Sequence, residues 1–117
     1  MASRGFLKAA PFKVATLKSL WETLNVKHFD GKLKEIPIRI TRARRYYGYY
    51  SVTESSDSAR ICISARLHGN PELLQDTLLH EMVHQYLQET GVQNWAGHGP
   101  EFLEVANKLG VITDGIE

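Results

Sequence analysis

The segment LLHEMVHQYL, residues 78–87, constrains the fold of this chain more than any other feature. Its apolar residues recur at helical spacing. With a rotation of about 100° per residue, they fall on one half of the helix, while His80, Glu81 and His84 fall on the other. An amphipathic helix places its apolar half against the core. We therefore expect the two histidines and the glutamate on the polar face, turned away from the core.

Spacing of this kind is typical of a metal-hydrolase helix. Side chains four residues apart have Cβ atoms ~5–6 Å apart, so His80 and His84 could bind one zinc ion with Zn–N distances near ~2.1 Å. Glu81 would flank the ion and could take the proton of a water whose pKa zinc lowers toward ~7. The pattern predicts two ligands and a general base. The alternative is a solvated polar face with two free histidines.

A catalytic zinc site has three protein ligands and one open position, so a third ligand is needed. His98 lies in the turn GHGP, residues 97–100, which returns the chain after the histidine helix. We therefore favour His98. Glu101 or Glu104 would be the acidic alternative and would give a His-His-Glu site.

Local signals along the chain predict an α+β fold. Asn70 followed by Pro71 is typical of a helix start, and Asp30-Gly31, Gly91 and Gly110 are typical of helix ends. The predicted elements are a helix over about 12–29 that Pro11 would start, strands over 36–41, 42–52 and 59–67 with a polar turn at 53–58, and helices over about 71–90 and 100–109. We expect a mainly antiparallel sheet of about three strands.

Composition limits the class of protein. With 117 residues, 43% hydrophobic and 23% charged, the sequence predicts one domain over 1–117 with a core over about 12–110. It has neither an apolar run of the ~20 residues that span a bilayer nor a secretory signal pattern. We therefore expect a cytoplasmic monomer that does not contact a membrane. Cys62, the single cysteine, excludes an intramolecular disulfide and is expected to be a buried strand residue.

Charge is distributed unevenly. Residues 1–50 carry eleven Lys/Arg against three Asp/Glu, or +8, whereas residues 51–117 carry three against ten, or −7. A basic face suits an acidic partner, most commonly nucleic acid. The candidate nucleic-acid-binding residues are Arg42, Arg44 and Arg45 for phosphates, and Tyr46, Tyr47, Tyr49 and Tyr50 for stacking on bases. The alternative is a tyrosine-rich strand with alternate residues buried and arginines in water, and lysines that solvate a surface helix.

Two linked motifs resemble a known family. HEMVH at 80–84, followed by HGPEF at 98–102, resembles the signature HExxH and later HGxxF of the SprT-like zinc metallopeptidases, which include Spartan-type proteases that degrade proteins crosslinked to DNA. LWETLNVKHFDGKLKEIPIRIT, residues 20–41, is also similar to the family's opening helix and first strand. The resemblance covers about residues 12–110.

This resemblance implies a zincin-like minimal metalloprotease domain with one Zn²⁺ per chain. His80, His84 and His98 would be the zinc ligands and Glu81 the general base. With one cysteine in the chain, the resemblance extends to the protease core but not to the C-terminal zinc ribbon of many members.

The implied function is a zinc-dependent metalloendopeptidase that acts on DNA-associated or DNA-crosslinked proteins. DNA, preferably single-stranded, would be a partner, and the location would then be nucleoid-associated or nuclear. An extended substrate could pair with a sheet edge, for which the ARICISA segment at 59–65 is our candidate. One alternative is a nucleic-acid- or protein-binding module with a structural zinc and no protease activity. Another is the same metal chemistry on a non-peptide amide or ester.

Overall fold

A computed structural model describes residues 12–53 and 58–111. The elements, in chain order, are α1 (Val14–Phe29), β1 (Ile38–Thr41), β2 (Gly48–Val52), β3 (Ala59–Ser64), a short 3-10 helix (Ala65–Leu67), α2 (Pro71–Glu89) and α3 (Pro100–Leu109). The predicted α+β class and the predicted order of elements are confirmed. Pro11 and positions 54–57 of the predicted polar turn lie outside the described residues.

Helix ends follow local signals in the sequence. The side chain of Asn70 accepts a hydrogen bond from the backbone N–H of Leu73 at 3.1 Å, which caps the start of α2. Asp30, with φ of 56°, and Gly31, with φ of 72°, are left-handed and end α1. Gly110, with φ of 75°, ends α3 in the same way. These ends are set by neighbouring residues, so sequence patterns predict them closely.

The sheet is mixed, with the order β1-β3-β2. β1 pairs with β3 in parallel, and β2 pairs with β3 antiparallel. Of the two strand pairs in the sheet, which we expected to be mainly antiparallel, one is antiparallel and one is parallel. β3 lies between β1 and β2, so the chain passes over one sheet position after β1. Pairing of this kind joins segments distant in sequence, and strand patterns alone do not specify it.

Our prediction that ARICISA forms a sheet edge is wrong. Residues Ala59–Ser64 form β3, which is hydrogen-bonded to a strand on each side. Ile61, Cys62 and Ile63 are all buried, which is typical of a central strand covered on both faces. The edges of the sheet are β1 and β2.

All three helices and the sheet contribute to one hydrophobic core. The core includes Leu17, Trp21 and Leu24 of α1, Ile38, Ile61 and Ile63 of the sheet, Leu78, Met82 and Val83 of α2, and Phe102 and Ala106 of α3. Cys62 is buried as predicted. No helix in the described segments is long and apolar enough to cross a membrane.

A buried glutamine fixes α2 against the rest of the fold. The indole N–H of Trp21 donates to Oε1 of Gln85 at 3.2 Å. The Gln85 amide in turn donates to the carbonyl of Lys34 at 2.7 Å and to the carboxylate of Glu89 at 2.8 Å. Gln85 therefore joins α2 to α1 and to the chain before β1. Because Gln85 follows His84 directly, these bonds also fix the position of that histidine.

Candidate metal centre

Three histidines converge between α2 and the loop before α3. The ring nitrogens of His80, His84 and His98 that could bind an ion all lie within 4.8 Å of one another. The Nε2 atoms of His84 and His98 are 3.2 Å apart. Ligand atoms around a tetrahedral ion with bonds of ~2.1 Å are about 3.4 Å apart. This spacing fits a metal ion held by three imidazoles.

A backbone carbonyl orients one of these rings. Nδ1 of His84 lies 2.7 Å from the carbonyl oxygen of Trp95. Because a carbonyl can only accept, Nδ1 carries the proton, and Nε2 is left to bind the ion. Sequence reasoning missed this role of Trp95, since a backbone group has no side-chain signature.

The histidine face of α2 is buried, contrary to the helical-wheel prediction. His80 and Glu81 are 0% exposed and His84 is 3% exposed, whereas His98 is exposed. Phe102 of α3 covers this face. Its ring centroid lies 4.8 Å from His80, 4.6 Å from His84 and 4.8 Å from His98. The wheel describes α2 alone and cannot show that α3 packs on its polar side.

The acidic alternatives for the third ligand lie outside the histidine group. Glu101 and Glu104 are exposed on α3. Oε1 of Glu101 accepts a hydrogen bond from the side-chain amide of Asn94 at 2.9 Å. This hydrogen bond is the main reason that the pKa of Glu101 is lowered. The structure therefore brings His98, and neither glutamate, together with His80 and His84.

A cleft of about 470 Å³ opens beside the histidines. One wall is the edge strand β2 with the residues before it, including Arg45, Tyr46, Gly48 and Tyr50. Trp95, Ala96 and His84 also line the cleft. Because His84 belongs both to the cleft and to the histidine group, a molecule in the cleft would lie next to a bound ion.

Two tyrosines of the β2 wall are held by specific contacts. The hydroxyl of Tyr50 donates to Oε1 of Gln88 at 2.9 Å. Burial, with a smaller contribution from Glu89, raises the pKa of Tyr50 to about 12. A hydrogen bond with Cys62, followed by burial, raises the pKa of Tyr49. Both hydroxyls are therefore neutral at physiological pH.

The residues predicted to bind nucleic acid fall into two groups. Arg45 and Tyr49 line the cleft, whereas Arg42 and Arg44 are exposed outside it. The guanidinium of Arg66 lies 4.7 Å from the centroid of the Tyr47 ring and also donates to the carbonyl of Arg44. One face of Tyr47 is thus occupied by Arg66, a residue that the sequence reasoning did not include.

The fold and the site together define a class. An α+β domain in which one helix and the loop after it bring three histidines together is a candidate metal-binding domain. The sequence profile of the SprT-like family matches residues 17–117. The chain therefore belongs to the SprT-like family, and the resemblance found in the two motifs is confirmed. No curated protein matches the chain at a significant level.

Proposed function

We propose that this chain is a zinc-dependent metalloendopeptidase whose ion is held by His80, His84 and His98. The observation that carries the proposal is the convergence of the three imidazoles, with Glu81 on the same helix and a cleft at His84. A neutral three-histidine set suits zinc among the common ions. It also leaves one coordination position for a reacting molecule, as catalytic zinc sites do.

Each group has a part in peptide hydrolysis. When bound, zinc polarises the scissile carbonyl and lowers the pKa of a water molecule toward ~7. Glu81 takes a proton from the attacking water and delivers it to the leaving amine. The carbonyl of Trp95 holds His84 in the tautomer that presents Nε2. An extended substrate pairs with the edge strand β2, which borders the cleft, in place of the central strand β3.

A structural zinc in a binding module is the second candidate. A structural site usually has four protein ligands. Among residues 12–53 and 58–111, the metal-ligating group has three members. Glu81 adds a base next to the ligands, for which a structural site has no use. These two observations favour the peptidase.

The peptidase is tested by zinc content and by replacement of the base. We expect one zinc per chain by mass spectrometry of the purified protein. Glu81→Gln should retain zinc and lose proteolysis, including autocleavage, by at least about 100-fold, because general-base catalysis contributes ~10²–10⁴-fold. Glu72→Gln, an exposed glutamate of the same helix, is the matched control and should retain activity. Unchanged proteolysis in Glu81→Gln would overturn the mechanism.

We further propose that the substrates are DNA-associated or DNA-crosslinked proteins. The support is the charge of +8 in residues 1–50 and the exposed position of Arg42 and Arg44. The test is cleavage of a DNA-binding protein with and without single-stranded DNA. Stimulation by DNA that is lost in the double variant Arg42→Glu, Arg44→Glu supports this proposal. Cleavage independent of DNA contradicts it and leaves the peptidase proposal intact.

A further inference from the structure

The cleft beside His84 has a distinct chemical character. Eight residues line it, and four of these are aromatic. Arg45 is the single fully charged side chain among the eight, and none of them carries a carboxylate. Walls of this composition favour apolar and aromatic groups, because burying a charge without a partner is costly.

Ring contacts fix the shape of the aromatic walls. Tyr50 and Trp95, which both line the cleft, meet edge to face, with centroids 5.6 Å apart at 81°. Tyr46 and Tyr49 form a similar pair at 5.3 Å and 78°. Such pairs are stabilising beyond the area that they bury. The hydrogen bond from Tyr50 to Gln88 adds a third constraint, so the walls are preorganised for a ligand.

The size and the charge of the cleft further limit the chemical groups that it can bind. A volume of about 470 Å³ is enough for one bulky side chain with part of its backbone. Arg45 is exposed, so its charge acts at the rim, where it repels a second cation and attracts an anion. A lysine or arginine of the substrate would find no acidic partner among the lining residues.

We propose that this cleft binds a bulky apolar or aromatic side chain of the substrate, next to the bond that is cut, and discriminates against lysine and arginine there. This inference rests on the proposed peptidase function. Its physical basis is the junction of the cleft with the histidine group at His84.

The test uses peptides that differ at one position. Peptides with phenylalanine or alanine at this position measure the effect of side-chain bulk. Peptides with norleucine or lysine there measure the effect of charge at nearly constant side-chain length. We expect kcat/KM for phenylalanine to exceed that for alanine at least about tenfold, in the range that hydrophobic pockets achieve. Norleucine should exceed lysine by about fivefold or more, since an exposed like charge costs little.

Two variants assign the preference to named groups. Trp95→Ala removes one aromatic side chain of the cleft but keeps the backbone carbonyl that orients His84. The ratio of kcat/KM for the phenylalanine peptide to that for the alanine peptide should therefore fall toward one. Arg45→Glu should reverse the discrimination between norleucine and lysine. Arg39→Glu makes the same charge change on β1, the opposite edge of the sheet, and should leave both ratios unchanged.

A binding measurement separates this inference from the peptidase proposal. Labelled forms of the same peptides are titrated against the Glu81→Gln variant, and binding is followed by fluorescence polarisation. Tighter binding of the phenylalanine peptide supports the cleft assignment even if the wild-type protein cleaves none of the peptides. Absence of cleavage would overturn the peptidase proposal alone. Cleavage without preference among the four peptides, or ratios unaltered by Trp95→Ala, would overturn the cleft assignment alone.

Discussion

The two halves of the histidine group are built in different ways. His80 and His84 belong to α2 and are buried among side chains of the core. His98 comes from the loop that joins α2 to α3 and is exposed. Hydrogen bonds at Asn94 and Trp95 connect this loop to α3 and to α2. The difference indicates that the helix half is coupled to the stability of the fold, whereas the loop half would serve mainly to hold a metal ion.

The largest expected effect comes from removing one ligand of each half. His80→Ala and His98→Ala should both weaken zinc binding by more than about 100-fold, because even residues that only orient ligands contribute 10–100-fold. The metal-free proteins should differ. His80→Ala leaves a cavity beside Phe102 and should cost about 2 kcal/mol or more of unfolding free energy, whereas exposed His98→Ala should change it by less than about 0.5 kcal/mol.

Urea unfolding in the presence of a chelator, together with zinc titration, measures both quantities. The wild-type metal-free protein is the reference. Equal stability losses in the two variants would show that the halves are not built differently.

A second comparison sets a glycine of β2, which packs against α2, beside a glycine of the loop half. A Cβ added to Gly48 would lie 2.8 Å from the carbonyl oxygen of Cys62 and 3.1 Å from Cγ2 of Thr77, on α2. Gly48→Ala must therefore push β2 away from β3 and α2, at a cost of about 1–3 kcal/mol. At Gly97 the nearest atom would be 3.7 Å away. Thermal unfolding should show a change within about 0.5 kcal/mol for Gly97→Ala, and a loss as large as that at Gly48 would contradict the comparison.

The third prediction concerns the buried hydroxyl of the β2 wall. Tyr50→Phe removes the hydrogen bond to Gln88 and should cost ~0.5–1.5 kcal/mol at neutral pH. Burial raises the pKa of Tyr50 from 10.0 to about 12. The stabilisation from the neutral phenol is therefore complete below pH 10 and is lost as pH rises toward 12.

The difference in unfolding free energy between wild type and Tyr50→Phe should accordingly shrink over this pH window. Urea titrations at a series of alkaline pH values measure it. If this free-energy difference stays constant from pH 10 to 12, the pKa of Tyr50 is not raised on folding, and its hydroxyl is exposed to water.

The smallest effect is expected in the loop half. The hydrogen bond from Asn94 is the main cause of the lowered pKa of Glu101, whose ordinary value is 4.5. Asn94→Ala should raise this pKa toward 4.5, as measured by NMR titration of the carboxyl carbon. Because the folded pKa is lowered, the contribution to stability is present above pH 4.5 and is lost as pH falls through the folded pKa. If the pKa of Glu101 is the same in Asn94→Ala as in the wild type, the hydrogen bond from Asn94 does not lower it.

Much of this molecule is predictable because its signals are local. Asn70 caps α2 and Gly110 ends α3, as their residue types indicate. The spacing of His80 and His84 is a property of any helix. The turn that contains His98 returns the chain after the helix, which predicts His98 as the third ligand, and the structure places it with the other two histidines.

The errors arose where distant segments meet. The central position of β3 depends on pairing with β1, about twenty residues earlier in the chain. The burial of His80 depends on Phe102, which α3 packs against it. Hydrophobic periodicity within one element contains no information about what covers its polar side. The carbonyl of Trp95 was missed for a related reason, since any residue type supplies the same backbone group.

The shared position of His84 has a consequence for inhibitor design. One edge of its ring faces the histidine group, and the same residue lines the aromatic cleft. A compound that joins a metal-chelating head to an aryl group by a short rigid linker would occupy both sites at once. The second contact would then be intramolecular, so affinity would exceed that of either fragment alone. Selectivity over zinc hydrolases that lack such a cleft would come from the aryl group, since chelation of zinc is common to them all.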